Sequence, residues 1–370
     1  MNNHTNPLNL EKEVVVKEKP GLPRMIVRKA KQWIVPIVFL LLCLFGYLYA
    51  GLPFSFILNE VITRLARNSF LVIALIVPVI AGLGLNFAIV LGAMAGQIGL
   101  IMIINYSLSG TGGLFVAFLI STPFAIVFGY LVGKVLNKAK GYEMITSMIL
   151  GFFSNGVYMF IFLVLVGGAI KIRNTSMILT TGKGLKNTID LASVRYALDD
   201  IWKIRFAGLS IPVATFILIA ILCFALTMFL KTKLGQEMRT VGQNPHIASV
   251  SGIDVDRTRI IAIIISTVLA AWGQIIFLQN LGTMFTYGSH EQVGLFAVAS
   301  LLIGGATVAK ANYSQALLGT FLFHMLFILS PMAGQNLIGD AQIGEFFRVF
   351  VAYGVIGLAL VLHAWQRRQK

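Results

Sequence analysis

Apolar residues run along this chain in long blocks, and charges fall between the blocks. From one Asp, Glu, Lys or Arg to the next, the long charge-free stretches are 32–59, 68–133, 144–170, 206–230, 260–290, 292–309, 311–339 and 349–366. A helix crossing bilayer hydrocarbon needs roughly 20 mostly apolar residues, and every stretch reaches or nearly reaches that length. The second, 66 residues long, has room for three crossings. Lipid offers no partner to free backbone groups, so the crossings are helices. The pattern predicts an all-α integral membrane protein of about ten transmembrane helices, at 33–50, 70–83, 85–104, 113–133, 144–166, 209–230, 260–280, 293–309, 314–331 and 346–364. The break near 82–86 rests on Gly82, Gly84 and Asn86 after Pro78. Without it, one helix would far outrun a hydrocarbon core about 30 Å thick.

Composition agrees. Of 370 residues, 57% are apolar and 12% charged, and the mean hydropathy is +0.85. So few charges cannot cover a water-soluble surface, and the values exclude disordered, collagen-like and disulfide-rich secreted chains. Cys43 and Cys223 both fall within crossings, so no disulfide framework exists.

The basic residues orient the chain. Lys and Arg in short loops stay cytoplasmic. With ten crossings and both N and C termini cytoplasmic, nineteen of the 29 basic residues lie on that face, and seven of the rest lie in one long outer loop. The net charge of +15 then reads as an orientation signal and an attraction to anionic membrane lipid, with no nucleic acid as partner. The organisation expected is a basic cytoplasmic tail over 1–32, disordered to about Gly21, and a transmembrane domain over 33–366. Within it lie an outer loop over 167–207 and a cytoplasmic loop over 231–259, and a short cytoplasmic tail over 367–370 ends the chain. No small-residue cleavage site follows the first apolar run, which therefore reads as an uncleaved crossing.

Catalytic chemistry is missing. Gly129-x-x-x-Gly133-Lys134 is one residue short of a phosphate-binding loop and lacks its Ser or Thr; it reads as a small-residue packing stripe. The five histidines show no metal-ligand spacing, so no metal site is expected. No Asp, Glu, Lys or Arg is expected well inside a crossing, whereas proton- and voltage-driven machines use such groups. A many-spanning chain without a nucleotide site or coupling charge implies an energy source in another subunit.

The 231–259 loop carries the most specific signal. Asn244 suits a helix N-cap, Pro245 the first turn and Gly252 a left-handed stop. The result is a helix of about seven residues, too short to stand alone in water, and therefore docked on something. The pattern Gly235…Arg239-x-Val241-Gly242-x-Asn244-x-x-x-Ala248-x-x-Ser251-Gly252-Ile253 resembles the cytoplasmic loop of the ABC-importer permeases for ribose, other simple sugars, nucleosides and branched-chain amino acids. Two further segments are similar: Ala297 through Gly304-Gly305 followed by Gly319-Thr320, and Asn86-Phe87 with Gly92-Ala-Met-Ala-Gly96-Gln97. Val241, the longer turn from Ala309 to Gln315, and Met94-Ala95 depart from the usual pattern and mark a divergent branch.

The resemblance implies a role. Gly242, Asn244, Pro245, Ala248, Ser251 and Gly252 would form the coupling piece seated in a cytoplasmic ATPase subunit. ATP and magnesium would sit on that partner, and this chain would need no cofactor and be no enzyme. Further partners implied are a second copy or a paralogous permease, and an extracytoplasmic solute-binding protein. The location is a bacterial-type plasma (inner) membrane. Uncharged polar residues at depth are candidates for the path: Asn86, Gln97, Ser154, Asn155, Gln274, Gln279, Asn280 and His324. On one continuous helix Asn86 and Gln97 would share a face. Each also reads as an interhelical hydrogen bond, with His324 as a packing residue. An uncharged lining suits a sugar or nucleoside before a branched-chain amino acid. The alternative is a self-contained secondary transporter or channel.

Overall fold

A computed structural model describes residues 22–206 and 208–368. The first 21 residues of the tail expected over 1–32, and the last two residues of the chain, lie outside the described residues. The helices are α1 (Leu22–Ala50), α2 (Phe54–Ala74), α3 (Ile76–Ile80), α4 (Ile89–Asn105), α5 (Gly110–Lys138), α6 (Glu143–Phe160), α7 (Val213–Phe229), α8 (Lys233–Gln243), α9 (Pro245–Val250), α10 (Val255–Leu281), α11 (Ser289–Ile303), α12 (Tyr313–Ile338) and α13 (Ala341–Arg368). Short strands β1 (Thr188–Asp190), β2 (Lys203–Phe206), β3 (Leu209–Pro212) and β4 (Thr283–Phe285) form two antiparallel pairs, β1 with β4 and β2 with β3.

The chain is an all-α integral membrane protein. Among the described residues seven helical segments are long and apolar enough to cross a membrane: Trp33–Ala50, Phe54–Ile80, Gly110–Lys138, Glu143–Leu165, Val255–Leu281, Tyr313–Ile338 and Ala341–Leu358. α7 reaches the same measure only together with α8, from which it is bent by 80°, and α4 and α11 are apolar but shorter.

Several boundaries differ from the sequence expectation, each for a local reason. The second crossing starts at Phe54, sixteen residues before the expected 70, and carries Glu60, Arg64 and Arg67. Glu60 and Arg64 form an i,i+4 pair at 3.4 Å. Arg67 donates from Nη1 to Asn280 Oδ1 at 3.3 Å and lies 5.5 Å from the Phe277 ring centroid. Charges inside a span are thus present, contrary to expectation, and they are compensated from neighbouring turns and helices. The segment 81–88 is not regular helix, so α4 begins at Ile89 and Asn86 precedes it; the shared helical face expected for Asn86 and Gln97 does not exist. Residues 22–32, expected in the tail, extend α1. The 231–259 segment is mostly helical, since Thr232, Asn244 and Asp254 each cap a helix through a side-chain oxygen.

α10 is the central post. Gly92 and Gly96 of α4 press onto it so closely that a Cβ would lie 2.5 Å from Thr267 O and 2.5 Å from Ala271 O. Gly129 and Gly133 of α5 pack on it nearer its start, at Ile264 and Ile260, with Gly129 also against Thr267, the small-residue packing read for that stripe. The Gly304-Gly305 and Gly319 motif has the same cause: α11 and α12 touch backbone to backbone there. At one end of α10 lie α8 and α9. At the opposite end β4 pairs with β1, and the 167–206 segment folds into a cap that buries Met177, Leu185, Ile189, Leu191 and Val194.

Candidate functional site

Two regions hold the residues singled out by sequence. The first is the surface around α9. Asn244 Oδ1 accepts from His246 N at 3.0 Å and Ile247 N at 3.2 Å, satisfying amides that the first helical turn leaves open. Pro245 occupies the first turn, where its missing N–H costs nothing. Ser251 Oγ donates to Ile247 O at 2.9 Å, and Gly252 turns the chain at φ +81°. Ala248 is fully buried against this chain, so it seats the helix and presents nothing outward. Ile247, 56% exposed, and Val250, 77% exposed, face outward beside the exposed polar His246 and Ser249. Beside α9, Ile80, Arg239, Gly242, Lys310 and Gln315 line a hollow of about 410 Å³.

α9 is tied to the interior through α8. A Cβ on Gly242 would lie 2.0 Å from Ile80 O and 3.1 Å from Gly82 N. The end of α8 therefore rests on the broken segment between α3 and α4. The same segment meets a buried ion pair: Arg259 Nη2 lies 3.1 Å from Glu143 Oε1 and donates to Gly82 O at 3.4 Å. Both side chains are almost wholly buried. Glu143 also accepts from Gly141 N at 2.9 Å. Displacement of α9 and α8 thus reaches, through direct contacts, the break that follows the second span and the starts of α6 and α10.

The polar residues expected along the path separate into distinct groups. Gln97 and Asn155 come together around His290. His290 Nδ1 is 2.8 Å from Gln97 Oε1, and its Nε2 is 2.8 Å from Asn155 Oδ1. Tyr158 OH donates to Gln97 Oε1 at 3.0 Å, and Asn155 Nδ2 donates to Glu291 Oε1. Gln274 stands next to this group, donating to Ser289 O at 3.3 Å. Gln279 and Asn280 belong elsewhere. Their amides donate to Asp199 Oδ2 at 3.1 and 2.7 Å, Thr215 Oγ1 donates to Asp199 Oδ1, and Arg67 joins through Asn280. This second group pins the cap to α2, α7 and α10. Asn86 folds back on its own backbone, accepting from Ala88 N at 3.1 Å. His324 is packed against the rings of Phe323 and Phe327, and its Nδ1 has no partner among the described residues. Ser154 is half-buried on α6 and makes no hydrogen bond to either group.

Sequence reasoning missed Tyr158, His290, Glu291, Asp199, Arg67 and the Arg259–Glu143 pair. Glu143 reads as a charge at a segment end and Asp199 as a charge of the 167–207 outer loop. His290 has no helical spacing to Gln97 or Asn155, and only the packing of α4, α6 and α11 unites them. No group of His, Cys, Asp or Glu among the described residues is arranged to hold a metal ion.

The family described as Branched-chain amino acid transport system / permease component matches residues 57–362. The nucleoside ABC transporter permease protein NupC of Lactococcus lactis subsp. cremoris is 31% identical over 164 residues, 44% of this chain. That match spans about half of NupC, 49% of its length. The xylose/arabinose import permease protein XylH of Sulfolobus acidocaldarius is 26% identical, over 72% of this chain and 65% of that protein. The ribose import permease protein RbsC of Bacillus subtilis is 24% identical, over 75% of this chain and 79% of that protein.

Proposed function

The chain belongs to the family described as Branched-chain amino acid transport system / permease component, and from that premise we propose that it is the membrane-spanning subunit of an ATP-driven ABC importer in a bacterial-type plasma (inner) membrane. It forms the route for a small polar solute, a sugar or nucleoside before a branched-chain amino acid. The side bearing α9 is cytoplasmic. There α9 docks into an ABC ATPase subunit, which holds the ATP and magnesium. A second copy of this chain, or a paralogous permease, completes the route. The cap over 167–206 receives a solute-binding protein on the outer side.

The observation that carries this reading is the construction of α9. A helix of six residues is too short to persist by its own hydrogen bonds. Here it is capped, seated by the buried Ala248, and left with Ile247 and Val250 facing outward. Those two side chains form an apolar surface that this chain does not cover, at the end of a direct contact line into the second span. A lever needs these properties: a grip for a partner and a rigid connection inward. ATP-driven closure of two ATPases would move α9, and α8 would carry that motion to Gly82 and the Arg259–Glu143 pair.

The test uses the docking surface itself. Val250→Asp places a charge where an apolar contact is expected, without touching Ala248. The expected result is loss of co-purification with the ATPase subunit while the chain still inserts in the membrane at wild-type level. Undiminished co-purification and uptake in Val250→Asp and Ile247→Asp would remove the basis of the proposal.

A further inference from the structure

We infer that Gln97, Asn155, Tyr158, His290 and Glu291 form a solute-contact site within the membrane, at which this chain itself selects uncharged, hydroxyl-bearing solutes and rejects anions. The inference deepens the importer reading and rests on it for the identity of what passes.

Depth comes first. Asn155 lies twelve residues along α6 from Glu143, about 18 Å at 1.5 Å per residue. Gln274, whose amide holds Ser289 O, lies nineteen residues along α10 from Val255, about 28 Å by the same rise. The site therefore stands well away from the α9 side, toward the cap, to which Thr286 and Tyr287 just before α11 donate hydrogen bonds at Lys186 O and Leu185 O.

Exposure comes second. Glu291 is exposed, yet it is held at this level by Asn155. Acidic side chains at membrane depth face a bundle interior or a water-filled cavity, because hydrocarbon penalises their charge. The surface that carries Glu291 and the half-buried Asn155 therefore faces water or a partner protein, and the importer's route supplies such water.

Unmet hydrogen bonding comes third. Gln97 is completely buried, and its Nε2 has no partner; Gln274 Oε1 beside it also has none. A neutral imidazole carries one N–H, while both His290 nitrogens meet amide oxygens as placed. Asn155 Nδ2 is engaged by Glu291, so the amide that turns over is Gln97, whose Nε2 then meets His290 Nδ1. Its Oε1 then takes the unpaired position, and that oxygen of a buried amide stays open toward this group. An orphaned buried polar atom costs about 1–3 kcal/mol, so a solute group that engages it gains that much.

The chemistry defines the solute. Glu291 only accepts hydrogen bonds, and one of its oxygens already takes Asn155. The open Oε1 of Gln97 is a second acceptor. No Lys or Arg takes part in these contacts. One solute hydroxyl donates to the carboxylate and a neighbouring hydroxyl donates to Gln97 Oε1; a phosphate or carboxylate meets repulsion with no cation to offset it.

Two measurements on the assembled transporter test this, in a Cys43→Ser, Cys223→Ser background. Glu291→Cys should react with a membrane-impermeant methanethiosulfonate added in water. Separately, Glu291→Gln should cut uptake of whichever of ribose and uridine the transporter imports at least tenfold, with ATPase co-purification unchanged. Gln97→Ala should act in the same direction. No labelling by the impermeant reagent would overturn the inference, as would unchanged uptake in Glu291→Gln. Import of leucine, and of neither ribose nor uridine, would overturn the solute class and leave the importer reading standing. Loss of the importer reading appears instead in the Val250→Asp co-purification.

Discussion

Gly242→Ala probes the link between α9 and the spans. The added Cβ would stand 2.0 Å from Ile80 O, where ordinary contact begins at 3.4 Å. Backbone lies on both sides of the contact, so no side chain can swing aside. α8 must withdraw by about 1.4 Å, or the broken segment at 81–88 must shift by the same amount. Overpacking of this kind costs about 1–3 kcal/mol. If that cost falls on the state in which α8 presses inward, it changes the coupling by roughly five- to 150-fold. The assay is a complex reconstituted in liposomes, with ATP hydrolysis and solute uptake measured on the same sample. We expect hydrolysis to persist and uptake to fall at least about fivefold. Gly112→Ala is the control, since nothing lies within 4 Å of its added Cβ. Wild-type uptake per molecule of folded Gly242→Ala complex would refute the reasoning.

Two further outcomes follow from packing. Arg259→Leu leaves Glu143 buried without its cation and should lower stability by about 3–5 kcal/mol, while Arg259→Met with Glu143→Leu should recover most of the loss; thermal unfolding in detergent reads both. Gly96→Val drives side-chain atoms into Ala271 O, only 2.5 Å from the Cβ position, and should depress the melting temperature by several degrees or prevent folding, which fluorescence-detected size exclusion will show.

The membrane-spanning class was legible because lipid imposes one periodicity-independent demand: long uncharged stretches. The short helix α9 was legible because capping is local; Asn244, Pro245 and Gly252 act within a turn or two of their own positions. Phe54–Ala74 was obscured because sequence shows Glu60, Arg64 and Arg67 as charges and does not show their partners. Arg67 is compensated by Asn280, 213 residues away. Asn86 and Gln97 were assigned one face on the assumption of unbroken helix, and the buried turn at 81–88 removes it. The Gln97–His290–Asn155 group spans separations of 193 and 135 residues, and no spacing rule reaches across those distances. Ala248 was placed on the docking face by motif, and packing turns it inward and leaves Ile247 and Val250 outside.

The most direct measurement is solute accumulation in sealed vesicles containing this chain, prepared with and without its ATPase subunit at equal permease content. Concentration of the solute above its external level should require the ATPase and ATP, and should vanish when either is omitted. Uphill uptake sustained by this chain alone, on an ion gradient and without nucleotide, would contradict the account.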